Sequence, residues 1–81
     1  MGHDNQTQAN EHDFTGLKCP LPVLKARRAL KDCQTGDVLT FLADDPAAPL
    51  DFEHFCETSG HKLLEVLKTD TYFAFRIEKQ G

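Results

Sequence analysis

Asp37-Val38-Leu39-Thr40-Phe41-Leu42-Ala43-Asp44-Asp45-Pro46 is the stretch that decides the fold. From Asp37 to Ala43 the run is nearly all apolar and of strand length, as for a central strand. Asp44-Asp45-Pro46 then opens a helix: an acidic cap, proline at the first helical position, and acids at the positive end of the helix dipole. Pro49 falls in the first turn, where a missing N–H breaks no intrahelical hydrogen bond. Phe52, Phe55 and Cys56 give this helix an apolar stripe, and Gly60 ends it.

Upstream, Val23, Ala26, Leu30 and Cys33 recur at spacings of three and four, with Leu24 beside them. The spacing predicts a helix from Pro20 to about Asp32, with Lys25, Arg28 and Lys31 facing water and Gln34-Thr35-Gly36 as its exit. Phe14 and Leu17 mark a short strand over His12 to Leu17. Residues 1–11 are polar and aperiodic, as in a disordered N-terminal arm. Downstream, Lys62 to Lys68 carries Leu63, Leu64, Val66 and Leu67, and Thr69-Asp70 makes a turn. Tyr72 to Lys79 alternates, with Phe73, Phe75 and Ile77 on one face and Ala74, Arg76 and Glu78 on the other.

The order is therefore β-α-β-α-β-β. The first two strands should run parallel through a right-handed crossover, and the last two should form an antiparallel hairpin. Each helix has one apolar stripe to cover, so both belong on one face of a four-stranded mixed sheet: an α+β, two-layer sandwich. Residues 12–81 read as a single domain, with no internal repeat.

With 81 residues and a net charge of −4, the chain lacks the basic excess of a generic nucleic-acid binder. Its charge is unevenly dealt. Residues 17–31 hold Lys18, Lys25, Arg27, Arg28 and Lys31 and no acid, whereas 44–57 hold Asp44, Asp45, Asp51, Glu53 and Glu57 and no base. Two solvated helix faces account for most of this pattern. A positive patch around the first helix's entrance would in addition favour docking of partners. Three cysteines without paired spacing form no disulfide framework. The N-terminal residues resemble no signal peptide, and no apolar run approaches membrane-spanning length. These features fit a reduced, cytoplasmic setting.

Within Gly16-Leu17-Lys18-Cys19-Pro20-Leu21-Pro22, one cysteine sits where a polar entry gives way to the helical pattern. If Pro20 is the first helical residue, Cys19 is the N-cap, with its sulfur at the positive end of the helix dipole. The prolines leave Leu21 as the main N–H donor for that sulfur. Helix N-termini and nearby cations lower a cysteine's pKa, and the thiolate is the reactive form. Cysteine is a poor structural cap beside serine or aspartate, which favours a reactive role. Cys33, about 20 Å away at the other end of the helix, cannot pair with Cys19. It reads as core, as does Cys56 on the inward stripe of the second helix. His54, Cys56 and His61 lack metal-ligand spacing and read as surface, core and strand-entry residues. Asp44-Asp45 is explained by capping.

These residues together resemble the TusA/SirA-like sulfur-carrier family: Gly16-Leu17-Lys18-Cys19-Pro20-Leu21-Pro22-Val23, Arg27, Gly36-Asp37, Ala43-Asp44-Asp45-Pro46-Ala47, Phe55-Cys56 and Gly60-His61. The match runs over about residues 13–79, and the family's fold is the same two-layer sandwich. The resemblance implies that Cys19 carries sulfane sulfur as a persulfide and that Pro20, Leu21 and Pro22 shape its site. A cysteine desulfurase or other sulfurtransferase would load it, and an acceptor protein would unload it. Routes so implied are tRNA thiolation, molybdenum cofactor supply and sulfur metabolism. Arg27 falls on a basic family position, and Lys18, Lys25, Arg27 and Arg28 would favour partner docking. No cofactor beyond the covalent persulfide, no metal, no membrane and no direct nucleic-acid contact are expected. The alternatives are a thiol redox sensor, which needs a resolving cysteine, and a non-catalytic interaction or regulatory module.

Overall fold

The computed structural model describes residues 10–81. Its elements follow the order read from the sequence: β1 (Glu11–Asp13), α1 (Leu21–Lys31), β2 (Val38–Ala43), α2 (Ala48–Ser59), β3 (Lys62–Lys68) and β4 (Phe73–Glu78). The strands lie in the order β1-β2-β4-β3. β1 pairs with β2 in parallel, from Glu11 opposite Thr40 to Asp13 opposite Leu42. β4 runs antiparallel to both β2 and β3. The helices pack against each other and on the sheet, α1 over β2 and α2 over β3 and β4, which is the mixed α+β sandwich expected.

β1 is shorter than the His12 to Leu17 strand expected and starts one residue earlier. The Asp13 carboxylate accepts the Thr15 N–H at 2.9 Å and the Thr15 hydroxyl at 2.6 Å, a local turn that ends the strand. Phe14 still donates its N–H to the Leu42 carbonyl at 2.8 Å. Of the arm expected over residues 1–11, residues 1–9 lie outside the described residues. Its last two residues join the sheet: Glu11 is in β1, and the Asn10 carbonyl accepts the Thr40 N–H at 2.7 Å.

The core is a row of aromatic rings between the layers. Phe52 of α2 stacks at 4.3 Å on Phe75 and at 6.0 Å on Phe41, and Phe14 stacks on the far side of Phe41 at 5.6 Å. Leu39, Phe41 and Ala43 alternate inward along β2, and Phe75 and Ile77 do so along β4. On α1 the covered residues are Pro22, Ala26 and Leu30, with Val23 at the margin. Leu24, expected beside that stripe, is instead 49% exposed, because the buried face of this helix is narrow.

Both helix starts are displaced from the sequence reading. α2 begins at Ala48 with Ala47 as its N-cap, so Pro46 precedes the helix and Pro49 is its second residue. The Asp45 side chain and carbonyl accept the N–H groups of Ala47 and Ala48 at 2.9 Å each, forming a turn that delays the helix. At the other end Gly60 adopts φ 87°, the left-handed exit for which glycine is suited, and its N–H reaches the Cys56 carbonyl at 3.0 Å. Lys79, just past β4, donates its Nζ to the Leu30 carbonyl at 2.7 Å and so caps the end of α1 from another element.

Phe52→Ala should lower the free energy of unfolding by about 3–5 kcal/mol, since it empties the space between two core rings. Leu24→Ala should change it by less than about 0.5 kcal/mol. Urea denaturation of both variants measures the contrast, and a large loss at Leu24 would mean that the helix face is misassigned.

Candidate functional site

The parallel β1–β2 pair sends both strands out of the sheet in the same direction. The loop after β1, which carries Cys19, therefore meets the loop after β2, which carries Asp44 and Asp45. Asp44 Oδ1 accepts the Gly16 N–H at 3.0 Å, and Asp45 Oδ2 accepts the Cys19 N–H at 2.8 Å. Gly16 takes φ 87°, and this left-handed turn lies at the start of the cysteine loop.

α1 starts at Leu21, with Pro20 as its N-cap, so Cys19 is one residue outside the cap position that the sequence predicts. The Cys19–Pro20 peptide bond is cis. Leu21, expected to offer its N–H to the sulfur, gives it at 2.8 Å to the Lys18 carbonyl instead. Cys19 itself is exposed.

The electrostatics of the sulfur also differ from the sequence reading. The nearby Asp51 carboxylate, in the first turns of α2, is the largest influence that pushes the Cys19 thiol pKa up. Partial desolvation and the negative charges of Asp51 and Asp45 push the same way. Asp45 is held below the ordinary carboxylate range, first by the Ala47 N–H, then by the Cys19 N–H, with the Lys18 charge adding to the effect. Acids supplied by α2 and its entry thus oppose the lowering expected from α1's dipole and the nearby cations.

A groove between α1 and α2 opens beside this sulfur, lined by Pro20, Val23, Arg27, Leu50, Asp51 and Phe55. Leu50, at 71% exposure, is the most open of the large apolar residues among those described. On the other flank of α1, Lys25, Arg27 and Arg28 border a second cleft with His12, Phe14, Leu21 and Leu24. Leu21 opens α1 at 44% exposure and Pro22 turns into the core, so the Pro-Leu-Pro segment combines an exposed and an anchored residue. Among the described residues the one ion pair joins Arg76 to Glu65 at 3.2 Å, which leaves Lys18, Lys25, Arg27 and Arg28 with no carboxylate in contact.

The other two cysteines are placed differently. Cys33 is half-buried and donates its Sγ–H to the Ala29 carbonyl at 3.3 Å. Cys56 lies in the core, where burial pushes its thiol up to about 11. His54 is exposed. His61 is half-buried against Phe55, and its Nδ1 accepts the Gln80 N–H at 3.0 Å. Among the described residues no three His, Cys, Asp or Glu side chains gather as a metal site, and no helix is long and apolar enough to cross a membrane.

The family described as Sulfurtransferase TusA matches residues 10–79 of this chain. The chain belongs to the TusA family of sulfur carriers. It is 53% identical over 66 residues to "Putative sulfur carrier protein NMA0882" of Neisseria meningitidis serogroup A, covering 82% of this chain and 89% of that protein. With the sulfur carrier protein TusA of Allochromatium vinosum it shares 39% identity over 69 residues, 85% of this chain and 91% of that one. The crystal structure of a SirA-like protein from Desulfitobacterium hafniense superposes with a TM-score of 0.73 at 28% identity, covering 84% of this chain and 93% of the other. Membership in a sulfur-carrier family implies a protein that gives sulfur and one that takes it.

Asp51 and the reach of Asp45 to Cys19 were not identified from the sequence. Both contacts cross from one strand–helix unit to the next, and only the parallel pairing of β1 with β2 signals them.

In the folded protein an alkylating reagent should modify Cys19 first, Cys33 more slowly and Cys56 last. In denaturant all three should react at similar rates. Peptide mass mapping after timed iodoacetamide pulses gives the order, and Cys56 reacting as fast as Cys19 in the native state would contradict the placement.

Proposed function

We propose that this chain carries sulfane sulfur as a persulfide on Cys19, taken from a cysteine desulfurase or another sulfurtransferase and passed to an acceptor protein. The observation that supports this most is an exposed thiol at the entrance of α1 in a chain of the TusA family. A carrier needs no small-molecule pocket. It needs a sulfur that enters a partner's active site.

In loading, the Cys19 sulfur attacks the terminal sulfur of the donor's cysteine persulfide. The new S–S bond forms as the donor's S–S bond breaks, and the donor cysteine leaves as a thiolate. The proton given up by Cys19 ends on that leaving thiol, so no external oxidant or reductant is consumed. Unloading is the same exchange with an acceptor's thiolate attacking the outer sulfur. Lys18 beside Cys19, then Lys25, Arg27 and Arg28 along α1, carry positive charge with no carboxylate in contact among the described residues, which favours partners with acidic docking surfaces. The setting proposed is cytoplasmic, and tRNA thiolation, molybdenum cofactor supply and sulfur metabolism are the destinations that family membership supports.

A redox-sensor role would require a resolving thiol for Cys19. Cys56 is buried and Cys33 sits half-buried past the opposite end of α1, which favours the carrier.

Incubation with a cysteine desulfurase and free cysteine should add one sulfur atom to the intact protein. Cys19→Ala should gain none, while Cys33→Ala and Cys56→Ala still gain it. Intact mass spectrometry before and after reduction reads the result, and sulfur retained by Cys19→Ala would overturn the assignment.

A further inference from the structure

Asp44 and Asp45 do more than begin a helix. They lie before α2's own N-cap, Ala47, and both reach across to the cysteine loop. We propose that Asp45 is a positioning residue for Cys19: its carboxylate bridges the Cys19 and Ala47 N–H groups, while Asp44 anchors the start of the same loop at Gly16. The inference deepens the carrier reading and rests on it for its purpose, although the clasp itself is measurable without any sulfur transfer.

The need for such a clasp follows from the loop. Beyond Phe14, which packs on the core, Thr15, Gly16, Lys18, Cys19 and Pro20 are all exposed and only Leu17 is half-buried before α1 begins. Apolar packing therefore does little to locate the reactive residue. A sulfur that must meet a partner's sulfur in line gains from a fixed backbone, because misplacement of the order of 1 Å slows transfer steeply.

Asp45 is well suited to supply that order. It lies two residues past the end of β2, which is paired on both sides, and it precedes Pro46, whose ring fixes φ. Each carboxylate oxygen has one partner, Oδ2 with Cys19 at 2.8 Å and Oδ1 with Ala47 at 2.9 Å, so the side chain is held in one orientation. Asparagine has a single acceptor oxygen and can keep only one of these bonds. Alanine keeps neither.

The test compares wild type, Asp45→Ala and Asp45→Asn, with the fold checked by circular dichroism. Amide hydrogen exchange at Cys19, read by NMR, should become about tenfold faster in Asp45→Ala and fall between the two in Asp45→Asn. Loading by a cysteine desulfurase should lose kcat in the same order with the KM for the donor protein little changed. Alkylation of Cys19 by iodoacetamide, which needs no alignment with a partner, should not slow. Unchanged exchange at Cys19 in Asp45→Ala would overturn the proposal. A loss confined to KM would also overturn it, because it would assign Asp45 to docking. Faster exchange in the variants, in a protein that takes no sulfur even as wild type, would uphold the clasp and remove the carrier reading instead.

Discussion

The parallel pairing of β1 with β2 is the constraint from which the site follows. Two strands running the same way leave the sheet at one end, and each is followed by a loop and a helix. The two loops meet there, and carboxylates from the second take up backbone N–H groups from the first. β1 is only three residues long, so little ladder supports this arrangement. The aromatic row from Phe14 through Phe41 and Phe52 to Phe75 supplies the packing that the short strand lacks.

The same meeting of loops sets the electrostatics of the sulfur. Each helix brings its own charge: α1 carries bases along exposed faces, and α2 and its entry bring acids toward Cys19. The Asp51 and Asp45 carboxylates, Asp51 most strongly, both favour the protonated form of the thiol. The acids from α2 and its entry thus raise the thiol's pKa, while α1 presents its bases on exposed faces.

Much of this architecture was legible in the sequence because it is local. Periodicity in Val23, Ala26 and Leu30, alternation in Phe73, Phe75 and Ile77, and the Gly60 exit each report one element and nothing beyond it. The element order then leaves few ways to stack two helices on four strands. The helix starts were legible only to within a residue or two, because Asp45 forms a turn with Ala47 where a cap was read, and Pro20 takes the cap position assigned to Cys19. The cysteine found exposed before α1 was singled out by its proline neighbours. The nearest helix entrance suggested a lowered pKa, whereas the carboxylates around the thiol push it up. The strongest of them, Asp51, lies on the other helix, and no local pattern records that contact.

Titration of Cys19 tests the central claim most directly, since that claim joins an exposed sulfur to carboxylates from the second helix. With the Cβ of Cys19 labelled by carbon-13, its chemical shift can be followed against pH in wild type and in Asp51→Asn. The account predicts a wild-type midpoint above that of an unperturbed cysteine, falling when the Asp51 charge is removed. A wild-type midpoint below the ordinary value, or one that Asp51→Asn leaves in place, would contradict it.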